Sequence, residues 1–119
     1  MRIAVLDDYL QVAPGMADWQ SLNADVSFFS DFIDPHTSAE VLAPFDVIVA
    51  MRERSAFPAA LIKSLPNLRL LVTTGLRNNS IDLEACRDQG VVVCGAPGDP
   101  MSRGATAEIA WALLLALFK

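Results

Sequence analysis

Arginine side chains gather in the stretches that directly follow the apolar runs of this sequence. Four of the nine Lys and Arg residues lie in such stretches, although the chain carries a net charge of −5. They are Arg52, Arg54, Arg77 and Arg103. Guanidinium groups brought to one edge of an acidic protein can grip a small anion in a bidentate fork. The pattern therefore predicts an anion site, although solvated loop arginines paired with Glu53, Asp7 or Asp99 would explain any one of them as well.

The loop at residues 73–82 (TTGLRNNSID) is a second candidate for chemistry. Gly75 stands just past an apolar run, where a glycine lets the backbone turn tightly and point amide hydrogens into a crevice. Amides in that position can hold a carboxylate. A simple turn into a helix capped by Ser80 or Asp82 accounts for the same residues. The shape of the sequence alone favours this plainer interpretation.

The elements that must position these residues alternate along the chain. Five short runs rich in Val, Ile and Leu predict strands at residues 2–6, 25–29, 46–50, 69–73 and 91–94. Helix signals between them predict helices at residues 14–22, 38–43, 58–64 and 82–89. Near-continuous apolar strands suit a parallel sheet buried on both faces. We expect an α/β fold, a flavodoxin-like doubly wound sheet of five parallel strands in the order 2-1-3-4-5, with its ligand crevice beyond the carboxyl ends of the strands.

The last part of the sequence differs from the rest. Residues 95–104 (GAPGDPMSRG) predict a loop, and an apolar helix at residues 109–118 follows. A helix lying on one small domain keeps a polar face, so one that is apolar on every side is expected to be covered from two directions. We therefore expect one domain at residues 1–104, followed at residues 105–119 by a helix that packs on a missing second domain or on another copy.

One stretch of the sequence resembles a known enzyme family. The run at residues 69–84 (RLLVTTGLRNNSIDLE), followed by a Gly-Val-Val-Val strand and an Ala-Glu-Ile helix, is similar to the D-2-hydroxyacid dehydrogenases. Gly75, Ile81 and Asp82 match the glycine-rich turn of their substrate domain. Residues 107–109 match the start of the long helix that crosses to their cofactor domain. The resemblance covers essentially the whole chain and implies a substrate domain truncated before the NAD-binding domain.

The resemblance also implies roles for individual residues. It implies a substrate-binding set of Arg52, Thr74, Gly75, Leu76 and Arg77. The amides of Gly75 and Leu76 would hold the substrate carboxylate, with the other residues nearby. Arg77 stands where the family usually has a second glycine, and Asn79 where it usually has aspartate. A guanidinium at position 77 could contact the acid directly or fill the space that a larger substrate would use, so the identity of the acid stays open.

The groups that would carry out the chemistry are missing from the sequence. Hydride transfer needs a nicotinamide held on a glycine-rich turn, and no GxGxxG segment occurs. It also needs an acid/base, usually a histidine, but the only histidine, His36, matches no part of the Arg, Glu and His triad of the family. The resemblance implies an oxidoreductase that interconverts a D-2-hydroxy acid and a 2-keto acid. Its NAD or NADP would be bound by the missing domain, so we expect no catalytic residue, no cofactor and no activity in this fragment.

Composition and charge exclude several kinds of partner. The excess of negative charge argues against nucleic acid, which draws on clustered Lys and Arg. The apolar run at residues 109–118 is about half the ~20 residues that a membrane-spanning helix needs.

Cys86 and Cys94 form no metal-ligand spacing and are expected to be reduced, largely buried thiols. We expect a cytoplasmic protein, a homodimer in its intact form, and self-association of the fragment through residues 105–118.

Two rival functions share the predicted fold. A phosphoacceptor receiver domain also begins with a strand that ends in an acidic pair, here Asp7 and Asp8. A receiver, however, needs an aspartate after its third strand and a lysine after its fifth, where this chain has Ala50-Met51 and Gly95-Ala96-Pro97. The other rival is a non-catalytic module that senses a small acid through the arginine-rich edge.

Overall fold

Strands and helices alternate throughout the part of the chain that the structure describes. The computed structural model describes residues 1–98 and 105–117. The strands there are β1 Arg2–Val5, β2 Asp25–Phe28, β3 Val47–Ala50, β4 Leu70–Thr74 and β5 Val92–Ala96. The α-helices there are α1 Ala13–Met16, α2 Ser38–Leu42, α3 Ala59–Lys63, α4 Leu83–Asp88 and α5 Ala105–Leu117.

The strands form one parallel sheet in the order β2-β1-β3-β4-β5. The register sets Ala4 beside Ile48 and Ile48 beside Leu71. This confirms the predicted fold class and strand order. The order reverses between β1 and β3, and ligands of open parallel sheets bind beyond the carboxyl ends of the strands at such a reversal.

The hydrophobic core lies against one face of the sheet. Ala4, Ile48 and Leu71 are completely buried on this face. Side chains from the three middle helices join the same cluster, namely Leu42, Ile62, Ala85 and Cys86. Because successive strand residues point to opposite faces, Val47, Val49, Leu70 and Val72 belong to the other face, and they are only partly buried. The apolar strands are therefore covered unequally on their two faces.

The helix predicted at residues 14–22 is replaced by two shorter pieces. The first is α1, and the second is a 3₁₀ turn at Trp19–Leu22. The chain is extended at Ala17, and the Asp18 carboxylate accepts the Ser21 N–H at 3.3 Å, which begins a new turn. Side chains that bond to nearby backbone in this way compete with helix continuation. Asn23, at a φ of 48°, then ends the turn.

The last helix has no cover within the described structure. It begins at Ala105, earlier than the predicted residue 109, and every described side chain at residues 107–117 is exposed. Trp111 is 65% exposed and Leu115 is 62% exposed. Phe118 and the segment 99–104, with Arg103, lie outside the described residues. No helix in the described part is both long and apolar enough to span a bilayer.

The two cysteines differ in their surroundings. Cys86 lies in α4 and is buried, as predicted, whereas the prediction of a buried Cys94 is wrong. Cys94 is exposed because it lies on β5, an edge strand on which four of the five residues are exposed. Burial raises the pKa of the Cys86 thiol, and the nearby Asp82 carboxylate raises it further. The two thiols should therefore differ in reactivity.

We expect iodoacetamide to modify Cys94 in the folded protein and to spare Cys86. The attacking species is an accessible thiolate, so the buried thiol should react on the order of 100-fold more slowly. Mass spectrometry of peptides after timed alkylation measures both rates. Denaturant should bring the two rates together, and equal rates in the native protein would contradict the described burial.

Candidate functional site

The loops that follow β1, β3 and β4 meet at one edge of the sheet, because the carboxyl ends of parallel strands lie on the same side. Two backbone hydrogen bonds join the second and third loops. The Phe57 N–H donates to the Ser80 carbonyl at 2.7 Å, and the Asp82 N–H donates to the Phe57 carbonyl at 3.0 Å. We call residues 6–12, 51–58 and 75–82 the carboxyl edge. It is a joined surface rather than a set of independent loops.

Gly75 turns the chain sharply at the end of β4. Its φ of 105° lies in a region that residues with a Cβ rarely adopt. Its amide N–H donates to the Ala96 carbonyl at 2.7 Å. On the other side of this contact, a Cβ on Gly95 would lie 2.7 Å from the Gly75 carbonyl oxygen. Gly75 thus docks the turn on β5, and its amide is occupied by that contact.

The backbone amides of Leu76 and Arg77 differ from the Gly75 amide. Neither the Leu76 nor the Arg77 N–H has a hydrogen-bond acceptor among the described residues. Both residues are exposed, Leu76 by 73%. Consecutive unoccupied amides next to a tight turn make a concavity that suits an anion. The resemblance implied the amides of Gly75 and Leu76 as donors, but the Gly75 amide is occupied, so the donors left free among the described residues are those of Leu76 and Arg77.

Arg52 is held beside this turn through its own backbone. Its φ of 50° is left-handed, and its N–H donates to the Thr74 hydroxyl at 3.1 Å. The Arg52 carbonyl accepts a hydrogen bond from the Asn78 side-chain amide at 2.5 Å. The Arg52 guanidinium lies against the turn, since its Nη1 would be 3.8 Å from a Cβ on Gly75. The structure therefore brings together the predicted residues Arg52, Thr74 and Gly75.

Asn78 is a residue of this site that sequence reasoning missed. Besides the Arg52 carbonyl, its side-chain nitrogen donates to the Thr73 hydroxyl at 3.0 Å. Its side-chain oxygen accepts the Ser80 N–H at 2.9 Å. One amide thereby ties β4, the loop after β3 and the loop after β4 to each other. The only sequence signal was an Asn within a turn, which is too common to indicate this role.

Asp7 organises the other end of the carboxyl edge. It is only 3% exposed at a φ of 60°, and its carboxylate accepts the Ser55 hydroxyl at 2.9 Å and the Tyr9 hydroxyl at 3.1 Å. The Arg54 guanidinium donates to the Asp7 carbonyl at 3.4 Å and stacks 4.7 Å from the centre of the Tyr9 ring. Desolvation raises the pKa of the Tyr9 phenol, and the hydrogen bond to Asp7 raises it further. Arg54 is thus turned towards β1.

Asp8, the second member of the acidic pair, has a structural role. Its two carboxylate oxygens accept the Val12 and Ala13 N–H groups, each at 3.0 Å, and so shape the loop before α1. The carboxylates of a receiver site would instead converge with an aspartate at the end of β3, where the chain has Ala50. In the described ranges no three His, Cys, Asp or Glu residues are grouped to hold a metal ion. This arrangement does not support a receiver.

The arginines of the carboxyl edge are not paired with described carboxylates. Within the described part of the chain, the ion pair that forms is Arg2–Asp25, at 3.8 Å, far from this edge in the fold. Arg52, Arg54 and Arg77 therefore do not form the ion pairs with Glu53 or Asp7 that the alternative explanation offered. Asp99 and Arg103 lie outside the described residues. The carboxyl edge holds three arginines and four carboxylates, so its arginines are unpaired within the described residues although the edge has no excess of positive charge.

An apolar cavity of about 470 Å³ lies to one side of this edge, between α2 and α3. Its walls are mainly apolar and include Leu6, Phe32, Leu42, Phe57 and Leu61, with Arg54 and Ser55 among the polar residues. None of residues 73–80 lines it. The cavity is therefore separate from the turn at Gly75.

The family comparison agrees with the fold. A family model described as "D-isomer specific 2-hydroxyacid dehydrogenase, catalytic domain" matches residues 3–114. The chain belongs to this dehydrogenase family. This confirms the resemblance read from residues 69–84. A search of curated proteins found no match.

Solved structures of the family share the architecture over nearly all of the chain. A phosphoglycerate oxidoreductase from Vibrio cholerae o395 has 41% identity and a TM-score of 0.84, with 98% of this chain and 36% of that chain covered. A D-3-phosphoglycerate dehydrogenase oxidoreductase, named as putative, from Ralstonia solanacearum has 36% identity and a TM-score of 0.83, covering 98% and 34%. D-lactate dehydrogenase from Escherichia coli has 18% identity and a TM-score of 0.70, covering 97% and 37%, which shows the fold alone. The chain spans about a third of the length of these dehydrogenases.

We expect Gly95→Ala to destabilise the fold and displace the turn of this dehydrogenase domain. The new Cβ would lie 2.7 Å from the Gly75 carbonyl oxygen, a backbone atom, so the strand or the turn must shift. Overpacking of this kind costs about 1–3 kcal/mol of unfolding free energy. Urea denaturation followed by circular dichroism measures it.

Gly98→Ala is the matched control, because a Cβ there would meet no atom within 4 Å. Its unfolding free energy should stay within about 0.5 kcal/mol of the wild type. Equal effects of the two substitutions would show that the close approach at Gly95 does not limit the structure.

We expect Asn78→Ala to loosen Arg52, because the variant loses the hydrogen bonds to the Arg52 carbonyl and the Thr73 hydroxyl. The loss should cost about 1–2 kcal/mol of unfolding free energy. It should also move the Arg52 amide resonance in a ¹⁵N spectrum. Asn79→Ala is the control, since Asn79 is exposed. If both variants behave alike, Asn78 does not tie the loops together.

Proposed function

We propose that this chain is the acid-binding domain of an oxidoreductase that interconverts a D-2-hydroxy acid and a 2-keto acid with NAD or NADP. The family match supports the reaction class. The observation that carries the role of this chain is the pair of unoccupied amides at Leu76 and Arg77 beside the Arg52 guanidinium, at the carboxyl edge of the sheet. That is the edge at which open parallel sheets bind ligands.

In this proposal the substrate carboxylate accepts hydrogen bonds from the Leu76 and Arg77 amides. Hydrogen bonds to a charged acceptor are shorter and roughly twice as strong as neutral ones. Arg52 supplies a guanidinium next to them. Thr74 and Gly75 act indirectly, since the Thr74 hydroxyl accepts the Arg52 amide and Gly75 fixes the turn on β5. Arg77 contributes its amide and its exposed side chain.

The residues of this chain do not fit a nicotinamide dinucleotide. Such a cofactor needs a glycine-rich turn between a strand and a helix, and no GxGxxG segment occurs in the sequence. The turn after β1 instead holds Asp7 and Asp8, whose negative charges would repel a pyrophosphate. His36 is exposed in the turn before α2, where its backbone N–H donates to the Asp34 carboxylate at 2.8 Å. We assign no catalytic residue to this chain.

The proposal also assigns a role to each of the two parts of the chain. Residues 1–104 would form the acid-binding domain, and residues 105–119 the start of a helix that crosses to a cofactor-binding domain. The exposed apolar surface of α5 supports this, because such a surface is stable in water only when another surface covers it. A homodimer is proposed for the intact protein. Contact between copies through α5 is proposed for the chain by itself.

A chimera tests the function directly. Residues 1–114 would replace the corresponding third of the Vibrio cholerae oxidoreductase, which supplies the rest of the enzyme. We expect NADH to be consumed with 2-keto acids, followed by the absorbance of NADH. Leu76→Pro removes one amide donor and should lower kcat/KM by about 10- to 100-fold.

Leu76→Ala keeps the amide and serves as the control, so kcat/KM should stay within about three-fold of the unmodified chimera. Equal losses of kcat/KM in the two variants would show that the substrate carboxylate does not bind the Leu76 amide. A folded chimera that consumes no NADH with any 2-keto acid would contradict the proposed function.

A further inference from the structure

A second cavity adjoins the apolar cavity between α2 and α3. It has a volume of about 450 Å³ and is lined by the end of β2, the loop that follows β2, and α2. Phe32 and Ile33 line both cavities and so form the wall that they share. None of residues 73–80 lines either one. We call the cavity between α2 and α3 the first cavity and its neighbour the second cavity.

Aromatic rings form much of the second cavity. Three phenylalanines line it, Phe28, Phe29 and Phe32, and Phe32 is 59% exposed. Phe28 pairs edge to face with Trp19 at 5.5 Å between ring centroids, and Phe29 pairs in the same way with Phe45 at 5.8 Å. In such a pair each ring keeps at least one face free of its partner. The faces of aromatic rings are negative and attract cations.

The charged side chains of the second cavity are acidic. Asp31 and Asp34 line it, and no Lys or Arg does so among the described residues. Neither carboxylate belongs to the ion pair of the described structure, which joins Arg2 to Asp25. The surrounding sequence has the same bias, because residues 3–51 contain eight Asp and Glu residues and no Lys or Arg. The rings and the carboxylates therefore favour the same kind of ligand group, a cation.

The first cavity suits an uncharged, apolar group. Its lining residues Leu42 and Phe57 are at most 2% exposed, and its volume of about 470 Å³ falls in the range of roughly 300–1,000 Å³ that is typical of small-molecule sites. Arg54 is its one cationic lining residue in the described structure. That guanidinium already stacks on Tyr9 and donates to the Asp7 carbonyl. It is therefore less available to an anionic ligand than the two aspartates of the second cavity are to a cation.

We propose that the two cavities together bind a small organic cation, an ammonium group on an apolar body. The ammonium lies among the phenylalanine rings and the two aspartates of the second cavity. The body passes Phe32 and fills the first cavity. Cation–π attraction and the charge of the carboxylates act on the same group, and burial of the body supplies the remaining affinity. This ligand site does not depend on the proposed function, because it uses no residue of the turn at Gly75.

Three molecules with the same body and different head groups test the charge preference. They are 4-phenylbutylammonium, 4-phenylbutanol and 4-phenylbutyrate. Each is titrated into the ¹⁵N-labelled chain at fixed ionic strength, and the amide resonances of Ile33 and Leu61 report on the two cavities. We expect the ammonium to bind at least about ten-fold more tightly than the alcohol, and the carboxylate no more tightly than the alcohol. Added salt should reduce the advantage of the ammonium, because Asp31 and Asp34 are exposed.

Variants of exposed residues locate the two ends of the ligand. Asp31→Asn removes a charge and Phe32→Leu removes a ring, so each should reduce the advantage of the ammonium over the alcohol to about three-fold or less. Asp88→Asn is the matched control, because it removes the same charge from α4, which packs beside β5, the strand farthest from β2 in the sheet. It should leave the advantage unchanged. Ala60→Trp places an indole at the first cavity and should weaken the ammonium and the alcohol alike, by about ten-fold.

Several results would overturn this proposal. Equal affinities of the three molecules would show that the site does not recognise charge, and tightest binding of 4-phenylbutyrate would assign the head group to Arg54. No shift at Ile33 or Leu61 with any of them would remove the site. An equal loss in Asp88→Asn would reduce the preference to overall charge, and unchanged binding in Ala60→Trp would place the body outside the first cavity. None of these results bears on the proposed function, which concerns the amides of Leu76 and Arg77.

Discussion

The close approach of β5 to the turn after β4 is the contact on which the rest of the site depends. The Gly75 amide donates to the Ala96 carbonyl at 2.7 Å, and Gly95 leaves no room for a Cβ against the Gly75 carbonyl. With the turn fixed in this way, the following amides at Leu76 and Arg77 have no acceptor among the described residues. The Arg52 guanidinium lies next to Gly75. A larger residue at Gly95 would displace the turn, and one at Gly75 would have to adopt a φ of 105° that side chains disfavour.

Backbone strain is concentrated at the same edge. Three non-glycine residues of the carboxyl edge have left-handed φ angles: Asp7 at 60°, Gln11 at 54° and Arg52 at 50°. Such conformations cost of order 1–3 kcal/mol each and persist only where the surroundings hold them. Each strained residue here is held, Asp7 by two hydroxyl groups, Gln11 by the Asp8 carbonyl, and Arg52 by Thr74 and Asn78. Strain held at the edge where open parallel sheets bind ligands supports the proposal that this edge is the functional site.

The sequence predicted the fold more completely than the site. Apolar runs located all five strands, because burial in a sheet needs a continuous supply of Val, Ile and Leu. The prediction of one helix at residues 14–22 was wrong, because the helical pattern could not show that the Asp18 carboxylate accepts a hydrogen bond from the Ser21 amide. The prediction for Cys94 was wrong, because a strand pattern does not tell an edge from a centre. The roles of Asn78 and Asp7 arise from contacts between loops far apart in sequence, which no local pattern encodes.

The exposed apolar surfaces and the proposed anion site share one physical explanation. The second sheet face is only partly buried at Val49 and Val72, and α5 exposes Trp111 and Leu115. An apolar surface of this kind is stabilised by contact with another protein surface. An anion site open to water is weak as well, since solvent screens its charges and competes for its amides. In the arrangement proposed here, one covering domain removes both deficits: it buries the apolar helix and excludes the water that weakens Arg52, Arg77 and the amides between them.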